Sequence, residues 1–132
     1  YDDGRVFAEF ARCAIEGRDI VLKTEGTTCR SYLYTADAAA AILAVLLRGG
    51  DAEAYNAANE ATYCSIREMA DLVAGTCAGG KIAVRVEAAE DPAKLGYAPT
   101  LHMNLDTSKL RALGWVPAVG LAEAYRRMMA AM

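Results

Sequence analysis

Histidine is almost missing from this chain of 132 residues: His102 is the only one. A serine or cysteine nucleophile is therefore short of its usual base, and His102 reads as a solvent-exposed or core-satisfied residue in an irregular stretch. The four cysteines, Cys13, Cys29, Cys64 and Cys77, stand far apart without a Cys-x-x-C pair. A zinc site lacks its ligands, so no metal is expected. The thiols leave two readings, disulfides or free groups; with this much apolar sequence, a reduced cytoplasmic protein with mostly buried thiols is expected. Basic clusters are missing too. The net charge is -3 at pH 7, and nucleic acids and anionic membranes need a basic footprint, so neither is expected as a partner. The longest uninterrupted apolar run, Ala38 to Leu47, is ten residues, too short to cross a bilayer. There is no Walker-type loop for a nucleoside triphosphate, and no G-x-G-x-x-G or G-x-x-G-x-x-G turn for a dinucleotide.

What is present is core-forming sequence. An apolar share of 55% against 23% charged fits one globular domain, or one lobe of a larger enzyme. Val6, Phe7, Phe10, Cys13 and Ala14 recur at three- and four-residue steps and predict a helix between Asp3 and Gly17. Asp2 and Asp3 suit its positive end and Gly17 its stop. Ile20 to Leu22 predicts a short strand. Ala36 to Arg48 predicts a helix apolar around most of its circumference, which calls for burial on more than one side. Gly49-Gly50-Asp51 ends it, and Glu53 to Ala57 reads as a strand. Ser65 and Glu68 have capping-box spacing, and Cys64 and Met69 that of a hydrophobic staple, for a helix reaching about Ala78 and stopped by Gly79-Gly80. Lys81 to Glu87 alternates as a strand with one buried face. Ala88 to Leu105, punctuated by Pro92, Gly96 and Pro99, reads mostly as loop. The acids Glu87, Glu90 and Asp91, clustered near a loop, read as a solvated turn rather than an acid/base pair. Asp106 caps a short helix ending at Gly114, and Leu121 to Met132 forms a last helix with Tyr125, Met128 and Met129 inward.

The stretch that organises the rest is Gly26-Thr27-Thr28-Cys29-Arg30-Ser31-Tyr32-Leu33-Tyr34. Gly26 and the threonines read as a turn and Ser31 to Tyr34 as a short strand, which puts Arg30 at a loop-to-strand junction. A guanidinium there offers a rigid fork of donors to phosphate or carboxylate oxygens, with Tyr32 and Tyr34 as an apolar wall. The alternative is a surface arginine paired with a nearby acid.

Asp3-Gly4-Arg5-Val6-Phe7, Arg30-Ser31-Tyr32-Leu33-Tyr34, Tyr55-Asn56, Asp106-Thr107-Ser108-Lys109 and Leu113-Gly114-Trp115-Val116-Pro117 come in an order and spacing that resembles one family over nearly the whole chain. It resembles the C-terminal, substrate-binding half of the extended short-chain dehydrogenase/reductases: the NAD-dependent nucleotide-sugar epimerases, dehydratases and UDP-glucuronate decarboxylases. The resemblance implies an α/β fold, a small helix-rich lobe with a few short strands that forms the C-terminal part of an NAD(P)-binding Rossmann-type enzyme. It implies a single lobe over residues 1–132, with the dinucleotide-binding domain on another stretch of a longer enzyme. That family's acid/base pair is a tyrosine followed four residues later by a lysine. None of the seven tyrosines here has a lysine at that offset, so no catalytic or cofactor-binding residue is expected in this chain.

By resemblance, the substrate is a nucleotide-diphosphate sugar. Arg30 would hold its diphosphate. Arg5 would touch the nucleotide or simply pair with an acid, and Asn56 would line the pocket or steady the turn after it. Lys109, Trp115 and Pro117 match structural positions. Many members carry a second phosphate-binding arginine in the stretch matching Gly96 to Leu105, and this chain has none there. NAD would act in the full-length enzyme without binding this chain alone. The reading from another class is a noncatalytic small-molecule-binding or protein-interaction module. Helix, turn and strand over residues 36–57 look like the last step of a doubly wound sheet without its earlier strands. That segment is therefore expected to make the chain a homo-oligomer, two-fold in its simplest form.

Overall fold

The computed structural model describes residues 3–88 and 99–132. Readings that fall on Asp2, Glu90, Asp91, Pro92 and Gly96 lie outside the described residues.

Helix α1 (Val6–Glu16) presents Phe10, Ala11 and Cys13 to the core and stops at Gly17, whose φ of 68° is the left-handed turn expected of it. Strand β1 (Ile20–Leu22) follows and pairs in parallel with β4 (Val84–Val86), Ile20 opposite Val84. The predicted Lys81–Glu87 strand is thus real but shorter, because β1 offers only three residues of ladder. Between β1 and the next strand the chain reverses at Gly26. A Cβ there would lie 3.0 Å from the Arg67 amide nitrogen, and φ is +69°, so the turn needs glycine.

Strand β2 (Cys29–Tyr32) pairs antiparallel with β3 (Asn59–Ser65) and in parallel with the two-residue β5 (His102–Met103). It begins two residues before the predicted start, so Arg30 lies inside the strand instead of at its mouth. The ladders opposite Ser65, Cys64, His102 and Met103 hold Cys29 and Arg30 extended, while Tyr34 leaves the strand to become the N-cap of α2 (Thr35–Arg48). The predicted strand Glu53–Ala57 makes no ladder. Its polar groups are used otherwise: Lys109 Nζ holds Glu53 and the Ala54 carbonyl, and the Tyr55 hydroxyl accepts the Gly50 N–H at 2.9 Å. The strand begins six residues later than expected, at Asn59, as β3.

Ser65 caps α3 (Ile66–Leu72) with both bonds of the box, Glu68 N–H to Ser65 Oγ at 3.0 Å and Ser65 N–H to Glu68 Oε2 at 2.7 Å. The helix continues as a π-turn, Val73–Cys77. Asp106 Oδ1 accepts the Ser108 N–H at the start of α4 (Ser108–Arg111), and α5 (Leu121–Ala130) closes the fold. The main core gathers Phe10, Ile20, Leu22, Met69, Val73, Ile82 and Tyr125 from α1, the β1/β4 pair, α3 and α5. A second, smaller cluster of Ala41, Leu110 and Trp115 lies under α2. Burial of α2 goes no further. Ile42, Leu43, Leu46 and Leu47 are 68%, 56%, 76% and 76% exposed, so this helix is covered on one side where its composition calls for more.

Candidate functional site

A cleft of about 500 Å³ opens where the start of α1, the end of β2 and α5 meet. β2 delivers Tyr32 and then Tyr34 to it, α1 delivers Phe7, and α5 delivers Tyr125 and Met128 one helical turn apart. Thr62 of β3 fixes the edge at a bulge in the β2/β3 ladder. Its Oγ1 accepts the Tyr32 N–H at 2.8 Å and lies 2.7 Å from the Tyr32 carbonyl and 2.6 Å from that of Asn59. The far end is set by Val119, whose backbone is gripped from both sides. Asp37 Oδ2 accepts its N–H at 2.9 Å, and Asn59 Nδ2 donates to its carbonyl at 3.0 Å.

Cations stand around this aromatic hollow. Arg5 lines it, lies 4.8 Å over the Phe7 ring, and is held by Asp3 through bonds of 2.9 Å from Nε to both carboxyl oxygens. The guanidinium holds the Asp3 carboxyl down at about 2. Of the two readings of Arg5, the structure shows the pairing with an acid, and it places that pair at the cleft. Arg127 lies 5.4 Å over the Tyr34 ring while bonded to Glu123 at 2.8 Å. Arg30 differs from both. It is exposed, makes no hydrogen bond or ion pair with a described residue, and stands two positions before Tyr32 on the same strand. The surface ion pair that would have explained it away is not formed among the described residues. Asn56 points elsewhere: its Nδ2 donates to the Asp106 carbonyl at 3.1 Å and steadies the entry to α4. The fold thus brings Arg5 to the Tyr32 end of β2, leaves Arg30 open beside it, and puts Asn56 outside the cleft.

The hollow is lined by aromatic and aliphatic side chains together with Arg5, Thr35 and Thr62. Its described lining contains no carboxylate and no imidazole. Burial pushes the phenols of Tyr32 and Tyr125 above their ordinary range, which keeps both protonated at neutral pH. His102 is exposed on β5. No group of three His, Cys, Asp or Glu that could hold a metal occurs among the described residues, and no described helix is long and apolar enough to cross a membrane. The strand-to-helix turn from β2 into α2 is poorly suited to a dinucleotide pyrophosphate. That turn has no glycine, and its first helical turn carries Asp37, an acid where an anion would have to sit. Two contributors escaped sequence reading. Thr62 lies on the strand that pattern placed too early, although Thr62-Tyr63 carries β-propensity. Tyr125 was legible as an inward residue, but nothing local ties it to β2.

Residues 1–58 match the model of the NAD dependent epimerase/dehydratase family. No curated protein matches the chain in sequence. Among solved structures, it is similar to a UDP-glucose 4-epimerase from Thermotoga maritima determined with UDP-glucose, at 21% identity and a TM-score of 0.79, covering 98% of this chain and 40% of that one. A UDP-N-acetylglucosamine 4-epimerase from Bacillus cereus gives 20% identity and 0.79, covering 100% and 44%. A dTDP-glucose 4,6-dehydratase from Bacillus anthracis in complex with NAD gives 18% and 0.74, covering 96% and 38%. The chain therefore spans well under half the length of the structures it matches. The likeness is thus one of sequence to the NAD dependent epimerase/dehydratase family over the first 58 residues, and one of α/β fold to these solved structures over nearly the whole chain.

Proposed function

We propose that this chain is the substrate-binding lobe of an NAD-dependent enzyme that epimerises, dehydrates or decarboxylates a nucleotide-diphosphate sugar, with the dinucleotide-binding domain on another stretch of a longer protein. The observation that carries this reading is Arg30, an exposed guanidinium free of described partners beside an aromatic cleft that holds no reacting group. Its planar fork suits the oxygens of a diphosphate, and the rings of Tyr32, Tyr34 and Phe7 suit a base or sugar ring. Arg5, on the rim, adds positive potential. Asn56 contributes by holding the Asp106 carbonyl, not by contact with substrate. The lobe binds and orients; oxidation by NAD and the proton transfers belong to groups outside this chain.

Calorimetric titration of the chain with UDP and dTDP tests this. Loss of one charge-assisted contact is worth roughly 1.5–3 kcal/mol, or about one to two decades in affinity. Arg30→Ala is expected to weaken binding by that much. Equal affinity of parent and variant would reduce Arg30 to a structural residue. A second reading, a noncatalytic interaction module, draws on the bare α2 face. It predicts no nucleotide binding by any form of the protein.

A further inference from the structure

Tyr125 contributes its ring to the cleft wall and is only 2% exposed, yet its hydroxyl is the one buried side-chain polar atom among the described residues that has no hydrogen-bond partner. An orphaned buried donor is costly, and such a group in a binding cleft calls for an explanation. Its surroundings are apolar or weakly polar. Met128 lies one turn further along α5, Phe7 and Leu121 line the same hollow, and the Tyr32 phenol and the Cys77 and Cys64 thiols are near enough to act on it electrostatically. None of them accepts its proton within hydrogen-bonding distance. A phenylalanine would satisfy every packing contact at this position without the penalty.

We infer that Tyr125 is a ligand-reading residue of this cleft. Its O–H donates to an oxygen of the ring that enters between Phe7, Tyr32 and Tyr34, while the phosphate end stays at the arginines. The inference rests on the proposed nucleotide-sugar reading and deepens it. The hydroxyl has essentially no exposed surface as it stands, so side chains of the cleft must shift for a ligand oxygen to reach it, and Met128 in the same lining is unbranched and easily rotated. The cleft is apolar enough that one hydroxyl just behind its wall discriminates strongly. A ligand oxygen there completes the phenol, whereas a ligand without one leaves it unpaired.

The test is Tyr125→Phe, read in two ways on the whole chain. In thermal unfolding without ligand, the variant is expected to be as stable as the parent or more so, because no bond is lost. In calorimetric titration with UDP-glucose, its affinity is expected to fall about three- to tenfold. A matching fall with UDP alone assigns the oxygen to the nucleotide, and a fall with UDP-glucose only assigns it to the sugar; either outcome supports the inference. Unchanged UDP-glucose affinity overturns it and leaves the lobe assignment standing. A variant clearly less stable without ligand also overturns it, since the hydroxyl would then be bonded within the folded protein. If the parent binds neither compound, the lobe reading and this inference fall together.

Discussion

Asp37 offers the most stringent check on how the cleft is held. It sits in the first turn of α2, is 7% exposed, and reaches across 82 residues of sequence to accept the Val119 N–H at 2.9 Å. Its own carbonyl accepts the Trp115 indole N–H at 3.1 Å. Replacing it with alanine keeps the second bond, which is backbone, and removes the first. The buried Val119 N–H is then left without an acceptor, at a cost of about 1–3 kcal/mol. For a chain of this length, each kcal/mol lowers Tm by roughly 3–5 °C, so Asp37→Ala is expected to melt about 3–15 °C below the parent. Asp37→Asn keeps a carbonyl oxygen on the same stem and is expected to lose about half as much. Val119 is also gripped by Asn59 Nδ2, so Asp37→Ala and Asn59→Ala act on one residue and their effects are expected to be non-additive by at least about 0.5 kcal/mol. Urea unfolding of the two single variants and the double variant measures all of this. A variant Asp37→Ala within about 0.5 kcal/mol of the parent would show that the clamp is not a stabilising contact and that the position of Val119 in the cleft is set by packing alone.

Three other outcomes follow from the same structure. NAD titrated into the chain is expected to give no saturable micromolar binding, and a micromolar isotherm would overturn the division into lobes. The chain in isolation is expected to self-associate through residues 36–57, with Leu43→Glu plus Leu46→Glu restoring a monomer by light scattering; a monomeric parent refutes this. Burial holds the Cys64 thiol up at about 11. Its alkylation at pH 8 is therefore expected to be far slower than in urea, and the stability that comes from burying it protonated is lost as pH rises from the unfolded value near 9. Equal alkylation rates would contradict its placement.

Much of the fold was legible because its signals are local. The Ser65–Glu68 box is complete within four residues, Gly17 stops a helix whose apolar face is contained in eleven, and the alternation around Val84 and Val86 needs no knowledge of β1. The misplacements have the opposite character. Whether Cys29 and Arg30 or Leu33 and Tyr34 are extended depends on where β3 and β5 lie, and both partners come from more than 25 residues away. Glu53 to Ala57 has the composition of a strand, but Lys109 and the Gly50 N–H reach its polar groups first. A ladder is a property of two segments, and pattern reading sees one at a time.

The same distinction governs the site. Arg30 could be singled out because its residue type and neighbours already suggest anion binding, and the fold then left it open instead of pairing it. Asn56 could be singled out on equal grounds, and the fold spent it on the Asp106 carbonyl. Nothing in either local sequence separates the two outcomes, since the deciding partner for Asn56 lies 50 positions away. α2 shows the converse. Its sequence demands burial on several sides, and within this chain only the side facing Leu110 and Trp115 receives it. About 0.8 kcal/mol per buried CH₂ is forgone at each of Ile42, Leu43, Leu46 and Leu47, which the expected self-association would recover. On the proposed lobe reading, the uncovered face of α2 and the absence of a carboxylate or imidazole from the described cleft lining have one explanation, a further stretch of protein that packs on the helix and carries the chemistry.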